Sequence, residues 1–365
     1  MPLPRHGERR SSGKRSGRRA RESGGEVVGW SDGVRLIGTP LWCDASRSRG
    51  LSFVSSARLL PSCRHQQIIA TQATIGLLTA ARRTHKTARA ATTGAAAATA
   101  VTAATTTRVA TGGAALAVPY GRPFTLGNLR LELFPAGYSI GSASLVVDTP
   151  AARIVYAGAI GPGGGLAGEC HVRACDILIV DVSSGCLSGA PQEAAAVLDW
   201  VTETLRWQRA PVLLVEPLGR APEIVEMLGR AAIPLRAHRQ IVQTIRRIRE
   251  IGLALPDVRL LRGPPSPGEA VLWPPFTPLA PALAASNPPP RCALVSGAAG
   301  DHTILARAGA ETGMVWADRP SRDQLLTYIE QTGASKVYLV GAEPDANLFP
   351  RSIPLGPPRQ LRLLP

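Results

Sequence analysis

The chain has 365 residues, of which 45% are hydrophobic and only 4% aromatic, and its formal net charge is +15. This length and apolar content are enough to bury a substantial core, and 37 glycines with 32 prolines predict many loops and short strands rather than a helical bundle. The six cysteines are too sparse for a disulfide framework, which predicts a reducing, cytoplasmic setting.

The amino-terminal segment is strongly basic. Residues 1–22 hold eight Lys or Arg against two Glu, and we expect a disordered tail over residues 1–25. One interpretation is a solvated extension, or a start codon placed too far upstream. The other is a flexible arm that contacts nucleic-acid phosphates and releases their counterions. The tail lacks the apolar stretch of a secretory signal.

A low-complexity stretch follows the first predicted elements. Residues 90–107, "AATTGAAAATAVTAATTT", consist mainly of Ala and Thr, which transfer weakly into lipid, and Arg108 ends the run. We therefore predict a surface insertion over residues 84–116 and no membrane partner.

The first half of the chain predicts short strands. "VRLIGTPLWCDA", "LSFVSS" and "QIIA" are apolar runs broken by Gly and Pro, and a helix is expected to begin at Thr71 or Thr74. The alternation in "LRLELF" is typical of a half-buried strand, and "SASLVVDT" with "ARIVYAG" predicts a hairpin. "CDILIVDVSSG" predicts a buried central strand that delivers Asp181 at its carboxyl end.

From residue 190 onward, strands alternate with helices, which predicts a parallel α/β unit. A Pro-rich stretch over 274–290 is interpreted as a linker, and "RCALVSG", "RPSRDQLLTYIEQTG" and "SKVYLVGA" as a strand, a helix and a strand. The expected domains are a first part over 26–188, an inserted domain over 189–290, a return segment over 291–350 and an extended tail over 351–365.

Several ordered stretches carry a resemblance to a known family. They include "PYGRPFTLGNLRLELFPAGYSIGSA", "CDILIVDVSSG", "VLLVEPLGRAPEIVEML" and "DRPSRDQLLTYIEQTGASKVYLVGAEPDA". The sequence resembles the metallo-β-lactamase-fold nucleases of the β-CASP group, nearest the bacterial DNA ligase-associated exonucleases, which are related to mRNA 3′-end processing nucleases. The resemblance covers roughly residues 28–345. It implies an α/β fold: an αββα sandwich with a small inserted α/β domain and two zinc ions.

The family's ligand residues are absent at the matching positions of this chain. Those positions are Ser56, Arg58, Leu60, Pro61, Tyr138, Ala159, Arg319 and Gly341. Acidic residues remain at Asp44, Asp181 and Asp318. Two-metal hydrolysis needs several imidazoles and a bridging carboxylate, so no zinc cofactor is expected and these acidic residues are vestigial. The resemblance thus implies a catalytically inactive homologue that binds nucleic acid or a protein such as an active paralogue, a DNA ligase or a helicase.

Two arginines at ligand positions allow alternative roles. Arg58 and Arg319 could accept a phosphate where the family binds metal, or they could form ordinary pairs, for example with Asp44 or Asp181. The alternative function is a metal-dependent nuclease or hydrolase with an atypical site. Its candidate groups are Asp44, Asp181, Asp318, Cys186 and His302, with a single Mg²⁺ on the carboxylates.

Weaker signals have plainer interpretations. A zinc site at Cys170, His171, Cys175 and Cys186 is conceivable, but the spacing matches no CxxC pair and buried thiols are favoured. "GPGGGLAG" lacks the Lys-Ser/Thr of a phosphate-binding loop, so a flexible turn is preferred. "IRRIRE" predicts a solvated basic helix face or a nucleic-acid groove. The six tryptophans are expected in the core.

Overall fold

The structure, a computed structural model, describes residues 27–59, 63–81, 106–108, 113–182, 194–341 and 352–356. Across these ranges the protein is an α/β protein with three β-sheets and seven α-helices. The predicted basic tail over 1–25 and most of the predicted insertion lie outside the described residues. Within the described ranges, none of the helices combines the length and apolar character needed to cross a membrane.

The first sheet has seven strands, in the order β1-β2-β3-β4-β5-β7-β6. They are β1 Val28–Trp30, β2 Val34–Leu36, β3 Leu41–Cys43, β4 Leu51–Phe53, β5 Gln67–Ala70, β6 Thr106–Arg108 and β7 Ala114–Ala117. β3, β4, β5 and β7 run parallel, so their carboxyl ends lie at one edge. Helix α1 (Gln72–Ala81) follows β5, and Thr71 caps it by accepting a hydrogen bond from the Thr74 amide at 3.1 Å.

The second sheet also has seven strands, in the order β20-β19-β12-β11-β10-β9-β8. They are β8 Phe124–Leu126, β9 Leu129–Pro135, β10 Ala143–Asp148, β11 Arg153–Gly158, β12 Ile177–Asp181, β19 Lys336–Val340 and β20 Ser352–Leu355. The predicted hairpin is confirmed as the antiparallel pair β10 and β11. The predicted central strand is confirmed as well, because β12 is fully buried between β11 and β19.

A shared core joins these two sheets face to face. Phe53 from the first sheet meets Tyr156 of the second edge to face, with ring centroids 6.1 Å apart, among Leu, Ile and Val side chains from both sheets. Helix α1 covers the outer face of the first sheet. Helix α7 (Arg322–Thr332), which begins with a Ser321–Gln324 capping box, covers the outer face of the second. The layers follow the order α, β, β, α.

The third sheet contains six strands, all parallel, in the order β15-β14-β16-β13-β17-β18. They are β13 Pro211–Leu214, β14 Leu235–Ala237, β15 Arg259–Leu260, β16 Ala270–Trp273, β17 Arg291–Ser296 and β18 Thr312–Val315. Its helices are α2 Ala194–Arg206, α3 Ala221–Arg230, α4 Arg239–Glu250, α5 Pro281–Ala284 and α6 His302–Ala308. One apolar cluster runs continuously from α1 into α4 and the inner face of this sheet.

Three expectations need correction. β17 pairs with β13 in the third sheet, so residues 291–315 do not belong to a return segment. Residues 274–290 are therefore not a linker between domains; they join two strands of one sheet and bury Leu283 on the way. β7 pairs with β5 and buries Ala115, so the insertion ends before residue 114. Apolar alternation identified each strand, but sheet membership depends on pairings distant in sequence.

Candidate functional site

The positions that the sequence matched to the family's ligands, where the structure describes them, lie where strands end. Ser56 and Arg58 follow β4, Arg58 on a 3-10 turn over Ala57–Leu59, and Tyr138 follows β9. Ala159 and Gly341 come directly after β11 and β19, which flank β12 in parallel. Because parallel strands deliver their carboxyl ends to one edge, the fold gathers these positions together. Leu60, Pro61 and Cys186 lie outside the described residues.

Asp44 sits in a closed network of neutral donors. Its two carboxylate oxygens accept hydrogen bonds from the Ser55 amide at 2.8 Å, the Ser55 hydroxyl at 2.6 Å and the Tyr156 hydroxyl at 2.8 Å. Burial raises the pKa of the Asp44 carboxyl, although these hydrogen bonds partly oppose the shift. No arginine is among these partners, so the predicted pair between Asp44 and Arg58 or Arg319 does not form.

Small residues occupy two further ligand positions. The Ser56 hydroxyl lies 2.7 Å from the Ser139 hydroxyl, and both side chains are buried. Ala159 is also buried, with 1% of its surface exposed. Directly beyond it, Gly161 passes so close to the 137–138 loop that an added Cβ would lie 1.8 Å from the Gly137 carbonyl oxygen. The loops that would carry metal ligands are therefore packed directly on one another.

Tyr138 stands between two guanidinium groups. The Cζ atom of Arg58 lies 4.6 Å from the ring centroid, and the Cζ atom of Arg319 lies 4.3 Å from it. Tyr138 and Arg319 are buried, which strengthens cation–π attraction because water no longer competes for the charges. We call Arg58, Tyr138 and Arg319 the arginine–tyrosine stack.

Two carboxylates complete this stack. Arg58 binds Asp318 through Nη1 and approaches Glu216 through Nη2 at 2.5 Å. Asp318 lies in the connection that follows β18, whereas Glu216 comes two residues after β13. The pair predicted for Arg58 therefore does form, but with these two acids instead of Asp44 or Asp181. Arg319 contacts the backbone of Asp181, donating from Nη1 to the carbonyl oxygen at 3.4 Å.

The charges in the stack stabilise one another. Burial by itself would lower the pKa of the Arg58 guanidinium, but Tyr138, Asp318 and Glu216 outweigh burial and raise it. Burial would likewise raise the pKa of the Asp318 carboxyl, yet Arg58 and Arg319 hold that pKa below its usual range. Both groups therefore stay charged at neutral pH.

These residues do not fit a pair of zinc ions. The cavity at Arg58, Tyr138 and Asp318 measures about 20 Å³, close to the size of a single water. Two guanidinium groups repel a dication, and Asp318 already serves as the counter-charge of Arg58. Among the described residues, no three His, Cys, Asp or Glu side chains are arranged to hold a metal ion.

A much larger cleft opens beside the stack. It encloses about 890 Å³ between the 162–165 loop, helices α2 and α3, and the segment from Val315 to Arg319. Arg319 reaches its wall, and Trp316 lies there with the guanidinium of Arg220 5.3 Å from its ring. Arg220 also pairs with Glu223. The glycines of "GPGGGLAG" thus line a cleft, although the loop carries no phosphate-binding lysine.

Of the remaining candidates, His302 lies apart from this site, whereas Cys170 packs against Gly137, next to Tyr138. His302 begins α6, on the outer face of the third sheet, and is exposed. Cys170 and Cys175 form no disulfide in the described part of the chain, and burial raises the pKa of each thiol to about 11. Most tryptophans are buried or half-buried as expected, but Trp207 is 55% exposed.

Comparison with known proteins gives distant matches. No family model matches the chain. It is 23% identical over 317 residues to a probable DNA ligase from Opitutus terrae, a match that covers 85% of this chain but only 28% of the ligase. A crystal structure of a protein of unknown function from Enterococcus faecalis superimposes with a TM-score of 0.52 at 11% identity, covering 85% of this chain and 79% of that one. The structural match concerns the fold alone.

Sequence reasoning missed two residues of the site. Glu216 and Arg220 come from the third sheet and helix α3, and each reaches a partner more than 90 positions away in the chain: Arg58 for Glu216, and the Ala317 carbonyl for Arg220. The charged residues grouped in "VEPLGRAPE" were the one sequence feature that could have pointed to these two residues.

Proposed function

We propose that this chain is a catalytically inactive relative of the β-CASP metallo-β-lactamase-fold nucleases and that it binds single-stranded nucleic acid in the 890 Å³ cleft. The arginine–tyrosine stack carries the proposal. It fills the place where the strand ends converge with a phenol ring, two guanidinium groups and Asp318. Among the residues that the structure describes, it leaves no set of donors for a metal ion.

The cleft supports the binding half of the proposal. Trp316 offers an aromatic surface for base stacking, and Arg319, which lines the same wall, adds positive potential there. The match to a protein named as a probable DNA ligase is consistent with a nucleic-acid setting. Arg58 does not fit the phosphate-binding role, because two carboxylates already occupy its guanidinium.

A protein partner is the second candidate. The cleft wall includes the apolar side chains of Leu198 and Met227, and two of its arginines, Arg220 and Arg230, are already paired with Glu223 and Glu226. An apolar cleft with neutralised charges also suits a peptide segment, such as one from a DNA ligase, a helicase or an active paralogue.

Two measurements test the proposal that the protein is catalytically inactive. Purified protein is analysed for bound metal by mass spectrometry, and hydrolysis of single-stranded DNA and RNA is assayed with Mn²⁺ and with Zn²⁺. We expect no stoichiometric metal and no hydrolysis above a protein-free control. Stoichiometric metal together with turnover that Asp181→Ala abolishes would establish the atypical hydrolase instead.

The binding half is tested with a pair of tryptophan variants. Trp316→Ala should weaken binding of a fluorescent oligothymidylate, since stacking on one aromatic contributes about 1–3 kcal/mol per base. Trp207→Ala is the matched control, because Trp207 is exposed and does not line the cleft. Equal affinity of both variants for the oligothymidylate would show that nucleic acid does not bind in the cleft, and it would favour the protein partner.

A further inference from the structure

Two arginines stack on one tryptophan on the outer side of the first sheet, and two more arginines lie in the loops beside it. Leu41 and Cys43 are buried in the core between the sheets, so Trp42 between them points to the opposite face. Arg35, its cross-strand neighbour on β2, has its Cζ atom 5.6 Å from the indole centroid, and Arg49 has its Cζ atom 3.7 Å from it. Together with Arg47 and Arg64, these residues make up what we call the Trp42 face.

The loops of the Trp42 face are tied together by hydrogen bonds. The Arg49 amide donates to Nδ1 of His65 at 3.2 Å, and the Arg49 guanidinium donates from Nη2 to the Ser31 carbonyl. The Ser48 hydroxyl donates to the Arg64 carbonyl. These bonds hold the Arg49 guanidinium and the backbone at Arg49 and Arg64 in place before any ligand arrives, which reduces the entropy cost of binding.

Little negative charge balances this face. Asp32 pairs with Arg47 at 3.1 Å. Within the residues that the structure describes, Arg35, Arg49 and Arg64 take part in no ion pair, and a bond to a carbonyl leaves a guanidinium fully charged. Four cations against one anion give a net charge of +3. Covering the indole explains one or two stacked arginines, but it does not explain the exposed Arg47 and Arg64.

The Trp42 face lies at the end of the first sheet opposite to the arginine–tyrosine stack, beside which the cleft opens. Arg49 and Arg64 come shortly before the amino ends of β4 and β5, whereas Ser56 and Thr71 come after their carboxyl ends. The face also lies close to Val27, because the Ile37 amide, two residues beyond Arg35, donates to the Val27 carbonyl at 2.9 Å.

We propose that the Trp42 face binds the phosphate backbone of nucleic acid without sequence preference, as a second contact separate from the cleft. This inference rests on the proposed function, because it takes nucleic acid to be the ligand that the cleft binds. Planar guanidinium groups recognise phosphate oxygens with paired donors, and contacts of this kind position a strand but carry no sequence information.

The test is the salt dependence of binding to a long oligothymidylate, measured by fluorescence anisotropy. In the double variant Arg35→Gln/Arg64→Gln we expect the slope of log Kd against log salt to fall by about 0.7 for each phosphate that the variant no longer neutralises. Arg246→Gln is the matched control, because it removes one exposed charge from α4, the other candidate basic surface. Urea unfolding midpoints equal to wild type would show that the exposed substitutions leave the fold intact.

The outcomes separate the two proposals. An unchanged slope in the double variant, with binding still weakened by Trp316→Ala, would overturn the Trp42 face and leave the cleft standing. A reduced slope in the double variant but not in Arg246→Gln supports the face. A second experiment measures binding to vesicles that contain phosphatidylserine. If the double variant binds these vesicles less tightly but binds the oligonucleotide as wild type does, the face recognises membrane phosphates and the proposal is wrong. A wild-type protein that binds no oligonucleotide overturns both proposals.

Discussion

Asp44 and Asp318 belong to the same site, but their surroundings are opposite. Asp44 accepts three hydrogen bonds from neutral groups, and burial raises its pKa. Asp318 faces the arginines of the arginine–tyrosine stack, which hold its pKa low. Asp44 is held by neutral hydrogen-bond donors, whereas Asp318 is held by the positive charges of arginine side chains. The difference shows that two buried carboxylates of one site can be stabilised in opposite ways, one by neutral donors and one by guanidinium charge.

The largest expected effect on stability is that of Arg58→Ala, which removes one guanidinium group from the arginine–tyrosine stack. Removing the guanidinium leaves Asp318 and Glu216 without their counter-charge, and breaking a buried ion pair from one side costs about 3–5 kcal/mol. Because Glu216 is partly exposed, we expect the lower end of this range in the free energy of unfolding from urea titration. Arg64→Ala, on an exposed arginine, should change it by less than about 0.5 kcal/mol. A cost below that of the control would show that Arg58 is not holding the two acids.

Asp44→Ala tests the hydrogen bonds that neutral groups donate to Asp44. The change leaves the Ser55 amide and the Ser55 and Tyr156 hydroxyls without their acceptor, and each buried unsatisfied donor costs about 1–3 kcal/mol. With some relaxation, we expect a loss of about 2–3 kcal/mol in the same titration. Asp44→Asn keeps one acceptor oxygen and should cost less. Equal losses in the two variants would mean that charge, not hydrogen bonding, matters at Asp44.

A smaller effect is expected at the ring between the two arginines. Tyr138→Leu removes the aromatic face and should cost about 1–2 kcal/mol, since buried cation–π contacts contribute on that scale. Tyr138→Phe keeps the face and loses only the hydroxyl, so thermal unfolding should detect a much smaller change. If both variants lose the same stability, the phenol hydroxyl and not the ring is what the stack needs.

The smallest effect lies in the pH dependence of stability. The folded pKa of Asp318 is lowered, so its contribution is present above the unfolded value of about 4 and is lost as the pH falls below it. The folded pKa of Asp44 is raised, so its contribution is greatest at low pH and is lost as the pH rises above about 4. Urea titrations between about pH 3 and about pH 7 should therefore show that Asp318→Asn costs more at higher pH and Asp44→Asn costs more at lower pH. If the stability loss changed with pH in the same direction for both variants, the two carboxyl groups would not have pKa values shifted in opposite directions.

The sequence predicted the elements better than their assembly. The strand alternation at Leu129, Leu131 and Leu133 and the apolar run before Asp181 determined two strands, because burial of one or both faces leaves a local pattern. The placement of β17 in the third sheet depended on hydrogen bonds to β13, which comes much earlier in the chain, and no local pattern encodes that pairing. For the site, local motifs located Tyr138 and Arg58 but not Glu216, whose role comes from a contact across 158 positions.

One small feature shows how such a site can change while its fold persists. The hydroxyls of Thr71 and Thr74 both donate to the Gly141 carbonyl, at 2.7 and 2.8 Å, and a side chain at Gly141 would come within 2.6 Å of the Ala73 Cβ atom. Helix α1 therefore dictates the path of the 138–142 loop, whatever side chain stands at position 138. The backbone and the chemistry it presents can vary independently. A substitution at position 138 can therefore change the chemistry of the site while the 138–142 loop keeps its course.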